Sequence, residues 1–257
     1  MVIALLIAAA AAFGIYALRV KDSYDRLDEE YDRFCGEFTV TATAGIPADD
    51  IYVAETGDVS GQDPFPVDVD FGELLALYPN VVGWIYSEDT SINYPIVKGA
   101  DNEFYLTHGI GGEYNTYGAI FADACNTGTF QEANTILYGH HMQNGSMFAS
   151  IAGYKTQDYY SQHPIMWLAT PAGNYWVDIY SCYVTEPESE AYRLNFVDVD
   201  DYASWISGTI SRSLISAEVS PDITSRILTL STCSYEFDNA RCVVHGILVP
   251  HQNDLFY

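Results

Sequence analysis

The stretch RILTLSTCSYEFDNARCVVHGILVP, residues 226–250, decides the fold. Apolar and small polar residues alternate over residues 227–233, and this period of two predicts a β-strand. A second strand is predicted over residues 241–249. The acidic and amide residues between them suit a chain reversal, so the two strands are expected to form an antiparallel hairpin. Such a hairpin places Cys233 and Arg241 close together beside the connecting loop.

In the rest of the chain, the sequence predicts short secondary-structure elements, most of which are β-strands. Strands are expected at residues 83–86, 94–97, 119–122, 135–140, 164–169 and 175–184, helices at 70–77, 147–154 and 200–215, and single helical turns at 103–106 and 159–163. In the last helix an apolar face is predicted, formed by Tyr202, Trp205, Ile206 and Ile210. Short strands with helices inserted between them indicate a mostly β domain of the barrel type.

The amino-acid composition limits the kinds of molecule that the chain can bind. The 257 residues are 49% hydrophobic, which is enough for a packed core, and 10 basic against 35 acidic residues give a net charge of -25. Such a charge repels nucleic acid, so nucleic-acid binding is excluded. The acidic residues are expected to form a solvated surface, and cation binding is the alternative.

The N-terminal residues predict a membrane anchor. Residues 1–18 are uncharged and apolar, and at about 1.5 Å per residue they span roughly 27 Å as a helix. We expect residues 1–20 to form an uncleaved single-pass anchor in the cell membrane, residues 21–69 a juxtamembrane helix and acidic linker, and residues 70–257 a folded extracellular domain. A cleaved signal peptide is the alternative.

Five cysteines, Cys35, Cys125, Cys182, Cys233 and Cys242, carry no CxxC spacing. The odd number leaves at least one thiol unpaired within the chain, and neither a zinc site nor a dense disulfide framework is indicated. Adjacent strands would be able to bring Cys182 near Cys242, but the spacing alone does not decide any pairing.

Three residues suggest nucleophilic chemistry. Cys233 ends a predicted strand beside a loop, where a thiol can reach a cleft. His140 follows Gly139 in the run ILYGHH, where the missing side chain leaves room for a substrate backbone. Arg241 is a permanent cation that can stabilise an oxyanion, although a salt bridge to Glu236 or Asp238 is an equally good interpretation.

These residues stand in motifs that resemble the sortase family, from about residue 70 to residue 250. TLSTC at residues 229–233 with an arginine eight residues on resembles the sortase active-site strand, and LYGHHM at 137–142 resembles the histidine motif. VGWIYSEDTSINYPIVKGADNEFYL at 82–106 and the helix inserted before the final hairpin resemble class B sortases in particular.

The resemblance implies an eight-stranded sortase-type β-barrel in an enzyme that is anchored in the membrane, faces the outside of the cell, and needs no cofactor or metal. It implies cleavage of a sorting-signal pentapeptide on surface proteins after threonine, and transfer of the thioacyl group to an amine of a peptidoglycan precursor or a pilin lysine. By the same resemblance Cys233 is the nucleophile, His140 the acid and base, and Arg241 the oxyanion partner.

Assignments around these three residues are less specific. The second histidine, His141, makes the choice of His140 ambiguous, and strand alternation would place the two on opposite faces. Ser231 is expected to line the substrate groove and Thr232 to help orient the oxyanion. Glu236 is a candidate partner for Arg241 or for the incoming amine.

Two other classes stay open from sequence. A papain-like cysteine protease would carry its cysteine at the start of a helix with the histidine downstream, whereas His140 here precedes a cysteine on a strand. A surface or adhesion domain without enzymatic activity would bury Cys233 as an inert core residue. Metal hydrolysis through His140 and His141 is disfavoured, because neighbours on a strand face opposite ways.

Overall fold

The structure is a computed structural model that describes residues 2–41 and 65–251. It divides into two compact units, one ending at Glu37 and one beginning at Phe38. Most of the first unit is helix α1 (Val2–Phe38), the continuous helix into which both the predicted anchor and the predicted juxtamembrane helix fall. None of the helices in the described ranges combines the length and the apolar character that a membrane span requires.

The middle of the predicted linker, residues 42–64, lies outside the described residues. Its two ends form a small antiparallel sheet, in which strand β1 (Thr39–Thr41) pairs with strand β2 (Val67–Val69). The second unit therefore starts upstream of residue 70, where the catalytic domain was expected to begin.

Short helices are interspersed among pairs of strands from residue 71 to residue 250. The α-helices are α2 (Phe71–Leu77), α3 (Gln157–Gln162) and α4 (Val199–Ser211), and the 3-10 helices are Phe104–Leu106, Ala149–Lys155 and Glu190–Tyr192. The strands are β3 (Val81–Tyr86), β4 (Asn93–Lys98), β5 (Ile120–Ala122), β6 (Asn134–Tyr138), β7 (Ile165–Thr170), β8 (Gly173–Thr185), β9 (Ile227–Cys233) and β10 (Arg241–Pro250).

Strands β3 to β10 close into the predicted eight-stranded barrel. Their order is β10-β8-β7-β3-β4-β5-β6-β9, and β9 returns to pair with β10. Every pairing is antiparallel except those of β4 with β5 and of β6 with β9. The pairing of β6 with β9 matters most for the site, because parallel strands end at the same edge of the sheet.

Helix α4 packs on the barrel through part of its predicted apolar face. Tyr202, Trp205 and Ile206 are buried against Tyr180 and Ile227. The prediction was wrong for Ile210, which is 41% exposed. Thr209 is buried instead, with its hydroxyl 3.0 Å from that of Tyr180, because it follows Tyr202 by seven residues and so lies on the same helix face. The helix ends at Ser211 and not at residue 215.

The segment around the two histidines also differs from its prediction. Strand β6 ends at Tyr138 and not at residue 140, so both histidines lie in the connection that follows. A Cβ atom on Gly139 would lie 2.5 Å from Ile120 and 2.7 Å from Phe148, so only glycine fits there. The helix expected at residues 147–154 starts later, as a 3-10 helix, because Met147 has a φ of 55°.

Candidate active site

Cys233 is the last residue of β9, and its direct cross-strand partner is Arg241, the first residue of β10. The six residues of β9 before Cys233 are buried, whereas Cys233 is partly exposed. The predicted hairpin is thus confirmed, and it carries the thiol to the barrel edge at the point where a permanent cation stands on the next strand.

The guanidinium of Arg241 is held by its own loop. Its Nη1 atom donates to the carbonyl oxygens of Asn239, at 3.0 Å, and Ala240, at 3.1 Å. The alternative salt bridge to Glu236 is not formed, because the Glu236 carboxylate pairs with Lys155 at 2.7 Å. The hydrogen bond from Lys155 lowers the pKa of Glu236 to about 2. Lys155 therefore ties the loop that follows Cys233 to the 3-10 helix Ala149–Lys155.

Because β6 and β9 are parallel, His140 and His141, which follow β6, lie at the same edge of the barrel as Cys233, which ends β9. Tyr138 pairs with Ser231, and the backbone N–H of Gly139 donates to the carbonyl of Ser231 at 3.1 Å. His140 follows Tyr138 by two residues and Cys233 follows Ser231 by two residues, so both segments lead to the same edge of the barrel.

The two imidazoles bind different backbone carbonyls. Nε2 of His140 lies 2.8 Å from the carbonyl oxygen of Leu106, and Nδ1 of His141 lies 2.8 Å from the carbonyl oxygen of Cys233. A ring nitrogen that faces a carbonyl must carry the proton. His140 is thus left with Nδ1 as the nitrogen that can exchange a proton, whereas the Nδ1–H of His141 fixes the backbone of Cys233.

Ser231 and Thr232, both predicted to contact substrate, face different ways. The Ser231 hydroxyl lies 2.8 Å from the Tyr192 hydroxyl and lines a cleft next to Arg241. Thr232 is buried, and its hydroxyl donates to the carbonyl of Gly139 at 2.8 Å. The structure therefore places Thr232 as a link that joins β9 to the histidine segment, and not as a wall of the cleft.

The cleft next to Arg241 has a volume of about 270 Å³. Its walls are apolar and aromatic apart from a few polar groups, and they consist of Asn102, Leu106, Phe121, Tyr138, Pro187, Tyr192, Ser231 and Arg241. The rings of Tyr138 and Tyr192 stack with centroids 6.2 Å apart. Most of these residues were missed from sequence, although Tyr138 and Leu106 lie in segments that were quoted for their resemblance to sortases.

Asp123 lies behind the cleft wall and holds two of its residues by hydrogen bonds. Its carboxylate is buried and accepts hydrogen bonds from the Asn102 amide, at 2.8 Å, the Tyr138 hydroxyl, at 2.9 Å, and the backbone N–H of Cys125, at 2.8 Å. Burial and the neighbouring Asp123 carboxylate raise the pKa of Tyr138 well above its ordinary value. Tyr138 therefore keeps its proton and stays fixed as a donor to Asp123.

A second, wider cleft of about 580 Å³ lies against His141 and Tyr235. The ring of Tyr235, which is 74% exposed, packs edge-on against that of His141 with centroids 5.2 Å apart. Asp89 adds a carboxylate to its lining, and hydroxyls come from Thr90, Ser91, Ser150 and Tyr159. This cleft suits a polar or cationic group, while Arg241 lines the first cleft.

A thiol, an imidazole and a guanidinium gathered at one end of a closed β-barrel define an enzyme of cysteine-dependent acyl transfer. A family model described as the sortase domain matches residues 85–249. The chain belongs to the sortase family, whose members are cysteine transpeptidases.

Its relatives are class B sortases. Sortase B of Listeria monocytogenes is 34% identical over 198 residues, which cover 76% of this chain and 79% of that protein. The Staphylococcus aureus sortase B-substrate complex superposes with a TM-score of 0.67 at 32% identity, covering 70% of this chain and 84% of that one. Sortase B complexed with triglycine gives a TM-score of 0.66 at 33% identity, covering 70% of this chain and 85% of that one.

Proposed function

We propose that this chain cleaves a peptide sorting signal after a threonine and transfers the new acyl group to a primary amine. The observation that carries the proposal is the cross-strand pair of Cys233 and Arg241 beside a cleft whose wall includes Leu106, the residue that binds His140. The similar structures of sortase B with substrate and with triglycine support a peptide donor and an amine acceptor for this chain.

The first half of the reaction acylates the enzyme. The Cys233 thiolate attacks the threonine carbonyl carbon, and Arg241 stabilises the resulting oxyanion by charge-assisted hydrogen bonding. Collapse of this intermediate breaks the peptide bond, and the leaving amine takes a proton from Nδ1 of His140. The Leu106 carbonyl keeps the other nitrogen of that ring protonated throughout, so a single nitrogen exchanges the proton.

The second half transfers the acyl group. An amine gives a proton to Nδ1 of His140 and attacks the thioester carbonyl, and the Cys233 thiolate leaves. The cleft lined by His141, Asp89 and hydroxyl groups suits the acceptor, since a carboxylate attracts an ammonium group before it loses its proton. A cell-wall precursor amine fits this proposal, and a pilin lysine is the other acceptor to test.

Mass spectrometry of the full chain with threonine-containing sorting peptides and a panel of amines tests the proposal. We expect an acyl adduct on Cys233 and an amide product when the amine is added. The Cys233→Ala variant should form neither while it keeps the melting temperature of the wild type. Cys125→Ala, which removes an exposed thiol elsewhere, is the matched control and should retain both reactions. Peptide cleavage by Cys233→Ala would contradict the assignment.

The cellular location is part of the same proposal. The uncharged run at residues 1–18 and the net charge of -25 favour a membrane-anchored chain with its catalytic unit outside the cell. Protease treatment of intact cells should digest the catalytic unit, and deletion of residues 1–20 should release it from the membrane fraction. A catalytic unit protected in intact cells but digested after lysis would contradict this location.

A further inference from the structure

Two cysteines outside the catalytic set lie close together in the barrel wall. The Sγ atoms of Cys182 and Cys242 are 3.8 Å apart, and both side chains are fully buried. Cys182 lies on β8 opposite Val244, and Cys242 lies on β10 opposite Val184. The two cysteines are therefore diagonal neighbours on one face of adjacent antiparallel strands.

The 3-10 helix Ala149–Lys155 covers this pair. Sγ of Cys242 lies 3.8 Å from the carbonyl oxygen of Ile151 in the middle of that helix. The end of the helix is held by the ion pair between Lys155 and Glu236, with Nζ and Oε1 2.7 Å apart. Access to the thiols thus depends on opening a short helix that is fixed by a partly exposed ion pair.

We propose that Cys182 and Cys242 form a reversible redox site, which a small-molecule disulfide converts to an intramolecular disulfide that links β8 to β10 next to Arg241. One thiolate attacks the oxidant, forms a mixed disulfide and releases one small thiol. The second cysteine, as its thiolate, then attacks the protein-bound sulfur and releases the other small thiol. The two cysteines lose two protons and two electrons, and the oxidant is reduced to two thiols.

The geometry requires only a small movement. A disulfide bond is about 2.05 Å long, so the sulfurs must approach by roughly 1.8 Å. This approach needs side-chain rotation and a small shift of the two strands, because diagonal cross-strand neighbours lie about 7–8 Å apart. The hydrogen bond with Cys242 and burial raise the pKa of Cys182 well above its ordinary value. The closed pair is therefore slow to react, and oxidation should be faster in a Lys155→Met variant, whose helix cover is loosened.

The linkage should stabilise the barrel without closing the peptide cleft. Alternation along β10 turns Cys242 to the face opposite Arg241, so the new bond forms away from the cleft. It connects residues 60 positions apart in sequence, which restricts the unfolded chain. We expect the melting temperature to rise by roughly 5–10 °C on oxidation and to return on reduction.

The test uses the full chain with Cys35→Ser, Cys125→Ser and Cys233→Ala, which leaves only the proposed pair. After treatment of the folded protein with oxidised glutathione, the intact mass should fall by two hydrogen atoms. Peptide mapping should then give a 182–242 crosslink, and the melting temperature should rise. The matched control adds Cys182→Ala, and it should give no crosslink and no stabilisation.

Two results would overturn the proposal: both thiols still alkylatable after oxidation of the folded protein, or a crosslink that forms only after denaturation. Mapping of the unmodified chain under non-reducing conditions gives the same answer if the substituted chain fails to fold. The outcome is independent of the transpeptidase proposal, because the acyl adduct depends on Cys233 and the crosslink does not.

Discussion

The Nδ1 atom of His141 lies 2.8 Å from the carbonyl oxygen of Cys233, so the second of two adjacent histidines holds the backbone of the thiol-bearing residue. The Nε2 atom of His140 instead lies 2.8 Å from the carbonyl oxygen of Leu106. We therefore propose separate tasks for these neighbours, proton transfer for His140 and positioning of Cys233 for His141.

Substitution of the two histidines should separate these tasks. His140→Ala should lower the rate of acyl transfer by about 10³-fold, because the general acid and base is lost. His141→Ala should lower it by only about 10-fold, through the loss of one hydrogen bond to the Cys233 backbone. His141→Asn, which keeps an N–H donor, should recover most of that loss. The check is the transfer rate of each variant, and a larger loss for His141→Ala would exchange the roles.

Arg241→Lys should lower kcat by about 10²-fold or more, because an ammonium group cannot reproduce the two-donor guanidinium geometry next to the oxyanion. Steady-state kinetics with a sorting peptide measure this effect. Arg226→Lys is the control, since Arg226 is also a partly exposed arginine and its side chain contacts Gln131 and Tyr175 instead. A near wild-type kcat for Arg241→Lys would leave Arg241 only its loop-binding role.

Asp123→Asn should raise KM for the peptide by about 10-fold and leave kcat nearly unchanged, since one carboxylate oxygen now becomes a donor facing the Asn102 and Tyr138 donors. The residues affected line the peptide cleft, and Asp123 itself is buried behind it. Asp200→Asn, at an exposed position on α4, is the control and should change neither constant. A fall in kcat at constant KM would show that Asp123 acts on the chemical step.

His245 should make the barrel less stable in acid. It is fully buried, with its ring nitrogens 2.9 Å from the Thr229 hydroxyl and 3.1 Å from the Tyr183 hydroxyl, and burial lowers its pKa from 6.5 to about 3. Between pH 6.5 and about pH 3, His245 is protonated in the unfolded chain but neutral in the folded chain. The free energy of unfolding therefore falls as the pH is lowered through this window.

Melting temperatures of the wild type and of His245→Gln between pH 7 and pH 4 measure this contribution. The slope against pH should be smaller for His245→Gln, whatever its absolute stability. His163→Gln, at a partly exposed histidine, should keep the wild-type slope. Equal slopes for the wild type and His245→Gln would mean that another group controls acid stability.

Local sequence patterns were enough to predict the hairpin of β9 and β10, but they did not predict which residues line the cleft next to Arg241. The alternation in residues 227–233 predicted β9 with its observed bounds, and the loop composition predicted the pairing of Cys233 with Arg241. The cleft wall combines Asn102, Tyr138 and Tyr192, which come from three distant segments. Periodicity carries no information about which distant segments meet, so only the resemblance to sortases pointed to this region.

The histidine segment shows a second limit. Alternation was extended two residues beyond the true end of β6, because a run such as ILYGHH does not reveal that Gly139 is packed against Ile120 and Phe148. Strand alternation was the basis for expecting His140 and His141 on opposite faces, but both lie outside β6, and the structure distinguishes them by the different backbone carbonyls that they contact. Likewise, the approach of Cys182 to Cys242 depends on the register of β8 with β10, which spacing in the sequence does not give.

The position of β9 between β6 and β10 has a consequence for biosynthesis. During synthesis, β6 and β8 emerge before β9 and β10. One edge of β6 therefore stays unpaired until β9 is made, and one edge of β8 stays unpaired until β10 is made. Cys233 arrives on β9, and Arg241 arrives on β10, the strand that closes the ring by pairing with both β8 and β9. A nascent chain that ends before β9 therefore lacks both Cys233 and Arg241, and the proposed site is complete only when the barrel is closed.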